Sequence, residues 1–213
     1  MVQIIWSHGW GFNAAFFKPL CQKLACYQHF VIDWGYFGEP HLPLIDLNKP
    51  IIGIGHSLGL AKLLSLKLPL HSLISLGGVT HFAQSKTFPA GTPKRILARM
   101  QAKFCLQPQQ VLADFYTSCG YSAPPFDLIN LESMKTELLQ QDLNQLMTLS
   151  APLPEIPILA IAADADQVCS LSQQQAQFNN LKIIQAQHYF PHNDPVQTAA
   201  LIQQFLQPFL FHY

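Results

Sequence analysis

The chain has 213 residues, 49% of them hydrophobic and only 11% charged, and its formal net charge is zero. That length suits one domain carrying an insertion. Zero net charge excludes bulk attraction to nucleic acid, and no apolar stretch reaches the roughly 18 residues that a membrane span needs. The five cysteines, at 21, 26, 105, 119 and 169, form no C-x-x-C pair and read as reduced thiols. The first residues, MVQIIWSHGWG, lack a basic leader and a cleavage site and run into a strand-like segment, so a cytoplasmic protein without a signal peptide is expected. The nine histidines are scattered and no cluster has zinc spacing, so neither a metal nor a cofactor is implied.

Residues 2–6 (VQIIW) read as a short buried strand followed by the turn His8-Gly9-Trp10-Gly11-Phe12-Asn13, and a helix is expected at about 14–26. A second strand, Phe30 to Asp33, closes on the Gly-rich turn Trp34 to Gly38. The β-branched run 50–54 leads to Ser57, a helical pattern covers 58–68, and Leu73 to Leu76 form another strand ending in Gly77-Gly78. Strands separated by helical segments predict βαβ crossovers and a parallel sheet covered on both faces. From about 81 to 150 helical patterns dominate, broken at Pro89, Pro93, Pro108 and Pro124-Pro125, which predicts a helical insertion. Apolar residues recur at helical spacing through 96–104 and again through 111–115, as two amphipathic helices meeting at Gln107-Pro108. The core, 1–80 and 151–213, resumes with strands at 156–161 and 181–184. Helix 195–207 closes it, with Asp194 before Pro195 as its cap. The run Gln173-Gln174-Gln175-Ala176-Gln177 reads as an exposed helix face.

The stretch Gly55-His56-Ser57-Leu58-Gly59 holds the chemistry. A serine hydroxyl is a poor nucleophile unless it is held exposed beside a base and facing donors for a developing oxyanion. A tight strand-to-helix turn between two glycines provides that position, and here a β-branched strand precedes the serine and a helix pattern follows it. In parallel sheets the partner groups lie beyond the carboxyl ends of strands. After strand 156–161 come Asp164 and Asp166, and after strand 181–184 comes His188, with His192 close behind. The order Ser, Asp, His fits Ser57 as nucleophile, His188 as base and Asp166 as its orienting carboxylate. His192 is the alternative base, and Asp164 is assigned to organising its turn. The oxyanion donors are expected to be the amides of Leu58 and Trp10, with the Trp10 indole as a pocket wall; His8 reads as structural. Between His81 and Ala113 lie five basic residues (Lys86, Lys94, Arg95, Arg99 and Lys103), both arginines of the chain among them, and no acid. That segment is either a solvated helix face or a dock for an acidic partner.

These pieces resemble the α/β-hydrolase superfamily and, within it, the carboxylesterases of biotin synthesis that cleave the methyl ester of pimeloyl-acyl carrier protein. The likeness rests on HGWGFN at 8–13, the Asp-x-x-x-Phe-Gly turn at 33–38, GHSLG at 55–59, the segment 96–120, the acid loop at 161–168 and Ala186-Gln187-His188 with Pro195 seven residues on. It implies an α/β-hydrolase fold with a helical lid, aligns the family's aspartate with Asp166, and implies that acyl carrier protein docks on Lys94, Arg95, Arg99 and Lys103. Three features depart from the family. The HG loop comes at residue 8, which predicts about six strands; Leu60 stands where a second glycine is common; and little room is left for a helix between Gly38 and strand 50–54. A thioesterase or short-chain esterase fits the same motifs, and a non-catalytic binding protein on this fold is the rival from another class.

Overall fold

The computed structural model describes residues 2–121 and 129–210. Six strands, β1 (Gln3–Ser7), β2 (Gln28–Ile32), β3 (Ile51–His56), β4 (Ser72–Leu76), β5 (Ile158–Ala163) and β6 (Leu181–Ile184), form one parallel sheet in the order β2-β1-β3-β4-β5-β6. The four central strands are apolar runs with almost every residue buried, because both of their faces are covered; β2 and β6, at the edges, are partly exposed. Side chains alternate between the two faces with the period of two that a strand imposes. Ile4, Trp6, Ile52, Ile54, Ile74 and Leu76 belong to one core cluster, whereas Ile5, Ile51 and Leu73 belong to the other.

The eight helices of the described residues are α1 (Lys18–Lys23), α2 (Leu58–Ser65), α3 (Lys94–Leu106), α4 (Pro108–Ser118), α5 (Thr136–Gln145), α6 (Leu171–Gln175), α7 (Phe190–Asn193) and α8 (Pro195–Leu210). α1 and α8 cover the first face through Leu20, Ile202 and Leu206, and α2 covers the second through Leu60 and Leu63. The helix expected at 14–26 is shorter, a 3-10 turn at Ala14–Phe17 running into α1, with Pro19 in the first turn of α1. Between β2 and β3 there is a loop rather than a helix, held at its start by a two-way backbone pairing of Asp33 with His41. α3 and α4 meet at Gln107-Pro108 as the sequence predicts; the Pro124-Pro125 break lies outside the described residues.

The glutamine run is not an exposed face. Gln173 and Gln174 are buried, at 3% and 0% exposure. Gln174 Nε2 donates to the Gly78 carbonyl, and Gln177 Oε1 accepts from the amides of Thr80 and His81. The irregular chain leaving β4 has backbone donors and acceptors that need partners, and a carboxamide supplies both kinds.

The chain runs from β1 to β2 on one side of the sheet and then returns to β3 on the other side of β1. The helices that follow β1 and β3 therefore cover opposite faces of the sheet, which makes the carboxyl ends of these two strands the switch point. The helical segment between β4 and β5 is tied to the core by a buried charge cluster. Lys62 of α2 and the Tyr36 hydroxyl both donate to Asp142 of α5, and the ammonium also lies 4.4 Å from the Trp34 ring centroid. Burial pulls Lys62 below its usual range, and the Asp142 carboxylate opposes that shift. Asp142→Ala strands the ammonium in the interior, so urea denaturation should show a loss of about 3–5 kcal/mol. The double variant Lys62→Met/Asp142→Leu should recover most of it; equal losses in the two would refute the pairing.

Candidate active site

Ser7 of β1 is in register with Gly55 of β3, so the residues that follow each strand, His8 to Trp10 and His56 to Leu58, emerge side by side. Ser57 takes φ 53° and ψ −131°, a left-handed conformation disfavoured for a residue with a Cβ. The chain can turn this sharply because the residues two positions away on each side, Gly55 and Gly59, carry no side chains. A Cβ on Gly55 would lie 2.4 Å from Leu60 Cα, and one on Gly59 would lie 2.2 Å from the Ser7 carbonyl oxygen. The first turn of α2 thus packs directly on the end of β1. The Ser57 amide donates to the Leu76 carbonyl (3.2 Å) and its carbonyl accepts from Val79, which fastens the turn to β4.

Asp166 follows β5 and His188 follows β6. His188 Nδ1 donates to Asp166 Oδ2 at 2.7 Å, and Asp166 Oδ1 accepts from the amides of Val168 and Cys169 at 2.8 and 2.7 Å. His188 is wholly buried and its Nε2 has no hydrogen-bond partner. Ser57 is 6% exposed, with its Oγ 3.9 Å from Cys169 Sγ rather than bonded to the imidazole. In serine hydrolases a serine–imidazole contact is often long without substrate and shortens only when substrate binds. Asp164 does not reach the histidine; its Oδ1 accepts from the Ala186 amide. His192 Nδ1 meets the Phe16 carbonyl and its ring stacks on Tyr189, away from Asp166.

The Leu58 and Trp10 amides find no carbonyl acceptor among the described residues. The Trp10 side chain is fixed by an Nε1–H bond to the Leu139 carbonyl (2.8 Å) and by edge-on contacts with Phe104 and Phe115. Ser57, Leu58 and Trp10 line a cavity of about 600 Å³, walled by apolar residues including Val79, Leu97 and Phe115. Where this cavity reaches solvent it is bordered by Arg99, Lys103 and Asp114. Lys94 and Arg95 are exposed farther along α3 and do not line it. Lys103 is already paired, 2.6 Å from Asp114 of α4, whereas none of the ion pairs among the described residues involves Lys94, Arg95 or Arg99. Asp114 lies one residue past the acid-free segment, so only the packing of α3 against α4 reveals the pair.

His56 has no assigned role in the sequence reading. It is wholly buried, stacks on Phe16 at 4.4 Å between ring centroids, and its Nε2–H donates to the His188 carbonyl at 3.1 Å. Its position directly before the serine, at a buried strand end, is the one sequence signal that could have singled it out.

No family model matches the sequence. Among curated proteins the chain is similar to the pimeloyl-[acyl-carrier protein] methyl ester esterases of Shewanella oneidensis (28% identity, covering 74% of this chain and 62% of the relative) and of a second Shewanella strain (25% identity, covering 76% and 63%). The chain therefore spans less than two thirds of the length of these relatives. Among solved structures, an esterase from Exiguobacterium antarcticum superposes with a TM-score of 0.82 at 16% identity, covering 97% of this chain and 92% of that one. The chain has the α/β-hydrolase fold. A hydrolase from Pseudomonas aeruginosa (TM-score 0.74, 15% identity, 96% and 89% covered) shares it. The sheet contains the six strands that the sequence predicts, and no helix among the described residues is long and apolar enough to cross a membrane.

Burial, and next the neighbouring His188, push the His56 imidazole well below its ordinary 6.5. Unfolded His56 takes up a proton near that pH while folded His56 stays neutral. It therefore makes no pH-dependent difference above about 6.5 and lowers stability as the pH falls below it. Between about pH 6.5 and 5, His56→Gln, which keeps a donor but does not titrate, should lose Tm less steeply than wild type; parallel slopes would contradict this.

Proposed function

We propose that the chain is a serine carboxylesterase with Ser57 as nucleophile, His188 as general base and acid, and Asp166 holding the imidazole tautomer. The observation that carries this reading is the buried Asp166–His188 pair at 2.7 Å, with Nε2 left unpartnered, beside a serine held at φ 53° in the wall of an apolar cavity. In this mechanism Ser57 Oγ attacks the ester carbonyl carbon as its proton passes to His188 Nε2. The carbonyl oxygen takes the negative charge and accepts from the Leu58 and Trp10 amides. Collapse of the tetrahedral adduct expels the alkoxide, which leaves as an alcohol with the proton from Nε2. Water, deprotonated by the same nitrogen, then attacks the acyl-serine, and the acid is released as the serine recovers its proton. No metal or cofactor takes part in these steps.

For the substrate we propose a methyl ester carried on acyl carrier protein, with pimeloyl as the acyl group. The names of the two curated relatives support this, as do the apolar cavity and the α3 cations Lys94, Arg95 and Arg99, which have no ion-pair partner among the described residues. The helical segment 81–150 would serve as the lid over a core of 1–80 and 151–213, and Lys94, Arg95 and Arg99 would meet the acidic carrier; Lys103 would contribute only after leaving Asp114. The five cysteines are joined in no disulfide, which accords with a cytoplasmic setting.

A serine-directed fluorophosphonate should label the wild type and not Ser57→Ala, and the variant should lose at least about 10³-fold in hydrolysis of p-nitrophenyl acetate. Absence of label on folded wild type would favour the non-catalytic reading. For the partner, Lys94→Glu with Arg95→Glu should lower kcat/KM on a carrier-protein methyl ester by about tenfold or more at low salt and flatten its salt dependence, with the small ester spared. Equal loss on both substrates would remove the docking assignment.

A further inference from the structure

The two expected oxyanion donors are held differently. The Leu58 amide is fixed by the elbow and the helix it begins. The Trp10 amide belongs to an irregular loop, and its direction must be set by something else. The peptide unit joining Gly9 to Trp10 is planar and trans, so its N–H points opposite to its C=O. Whatever holds the Gly9 carbonyl therefore aims the Trp10 N–H.

Two donors reach that carbonyl. The Phe12 amide does so at 3.4 Å, the long end of the range, and His8 Nδ1 at 3.0 Å. His8 is wholly buried. Its Nε2 accepts from the Trp34 amide at 3.1 Å. A backbone N–H can only donate, so Nε2 carries no hydrogen and the single ring proton of the neutral imidazole sits on Nδ1, facing Gly9. Asp33 Oδ1 is 3.7 Å from Nε2, beyond hydrogen-bonding distance, and is taken by the Gly35 amide at 2.9 Å. The ring is further fixed by an edge-on contact with Tyr36. Gly9 itself abuts the nucleophile, since a Cβ there would lie 2.8 Å from Ser57 Cβ.

We infer that His8 is a positioning residue of the oxyanion hole: Trp34 sets its tautomer, its Nδ1–H holds the Gly9 carbonyl, and the Trp10 amide is thereby turned toward the ester oxygen. The inference rests on the esterase reading above. It assigns His8 no proton transfer and no contact with substrate.

Two variants separate this role from simple packing. In His8→Asn the side-chain Nδ2 falls where the imidazole Nδ1 lay and keeps the donor to Gly9, while the acceptor for Trp34 is lost. In His8→Gln the amide reaches the Nε2 position, so Trp34 keeps a partner and Gly9 loses its donor. With p-nitrophenyl acetate, His8→Gln should lose about 10- to 100-fold in kcat with KM within about twofold, a fraction of what removing an oxyanion donor outright costs. His8→Asn should stay within about fivefold of wild type. Equal losses in the two, or a loss confined to KM, would overturn the inference while leaving the esterase reading intact. A wild type that neither hydrolyses the ester nor takes the serine label would sink that reading, and this one with it. The tautomer can be read without any variant: nitrogen-15 NMR of the imidazoles should show His8 protonated at Nδ1 alone, and a proton on Nε2 would contradict the assignment.

Discussion

The site depends on one close approach, the first turn of α2 lying directly on the carboxyl end of β1. Gly59 makes it possible, because any Cβ there would collide with the carbonyls of Ser7 and His8. The approach sets Ser57 next to the loop that follows β1, at the point where the strand order reverses. The left-handed backbone at Ser57 costs free energy that local interactions do not return. It persists because three strands hold it: β3 by chain connection, β1 by contact through Gly59, and β4 through the Ser57–Leu76 hydrogen bond.

The helical segment between β4 and β5 does more than cover the cavity. It is bonded to the loop that carries Trp10 and to the one that carries His188. Leu139 of α5 receives the Trp10 indole, the Tyr116 hydroxyl of α4 donates to the Gly11 carbonyl, and the Cys119 carbonyl at the end of α4 receives the Tyr189 amide, one residue beyond His188. The Lys62–Asp142–Tyr36 cluster joins the same segment to the elbow helix. A link of this kind suits the proposed site, whose oxyanion donors and imidazole would have to be in place before substrate arrives, since preorganised dipoles need no rearrangement during reaction.

Much of this was legible in the sequence because it is written in local pattern. Strand runs such as IIGIGH and ILAIAA announce a buried parallel sheet, Pro108 and Pro195 mark helix starts, and the glycines flanking Ser57 announce a tight turn. Spacing after β5 separated Asp166 from Asp164, whose carboxylate bonds the Ala186 amide instead. Other features left only a faint trace. Asp142 sits among Leu139, Leu143 and Leu146 on the buried stripe of α5, a charge where an apolar residue was due, yet its partner Lys62 lies 80 residues away. Gln173 and Gln174 carry no signal of burial at all, since their partners, the Phe82 and Gly78 carbonyls and the Thr92 hydroxyl, lie in irregular chain that no periodicity describes.

By itself the sequence determined the order of strands and helices, the turn at Ser57 and the residue types waiting at the strand ends. These follow from sterics and periodicity acting between near neighbours in the chain. Only the tertiary structure decided which of those residues meet. It brought Asp166 to His188, gave Lys103 to Asp114, set His56 against the His188 carbonyl and left Lys94, Arg95 and Arg99 without ion-pair partners among the described residues. It also assigned the proton on His8, through a backbone amide 26 residues distant. Contacts of that separation exist only after the sheet has assembled in its particular order, and a hydrogen bond leaves no mark on the sequence beyond the presence of a group able to make it.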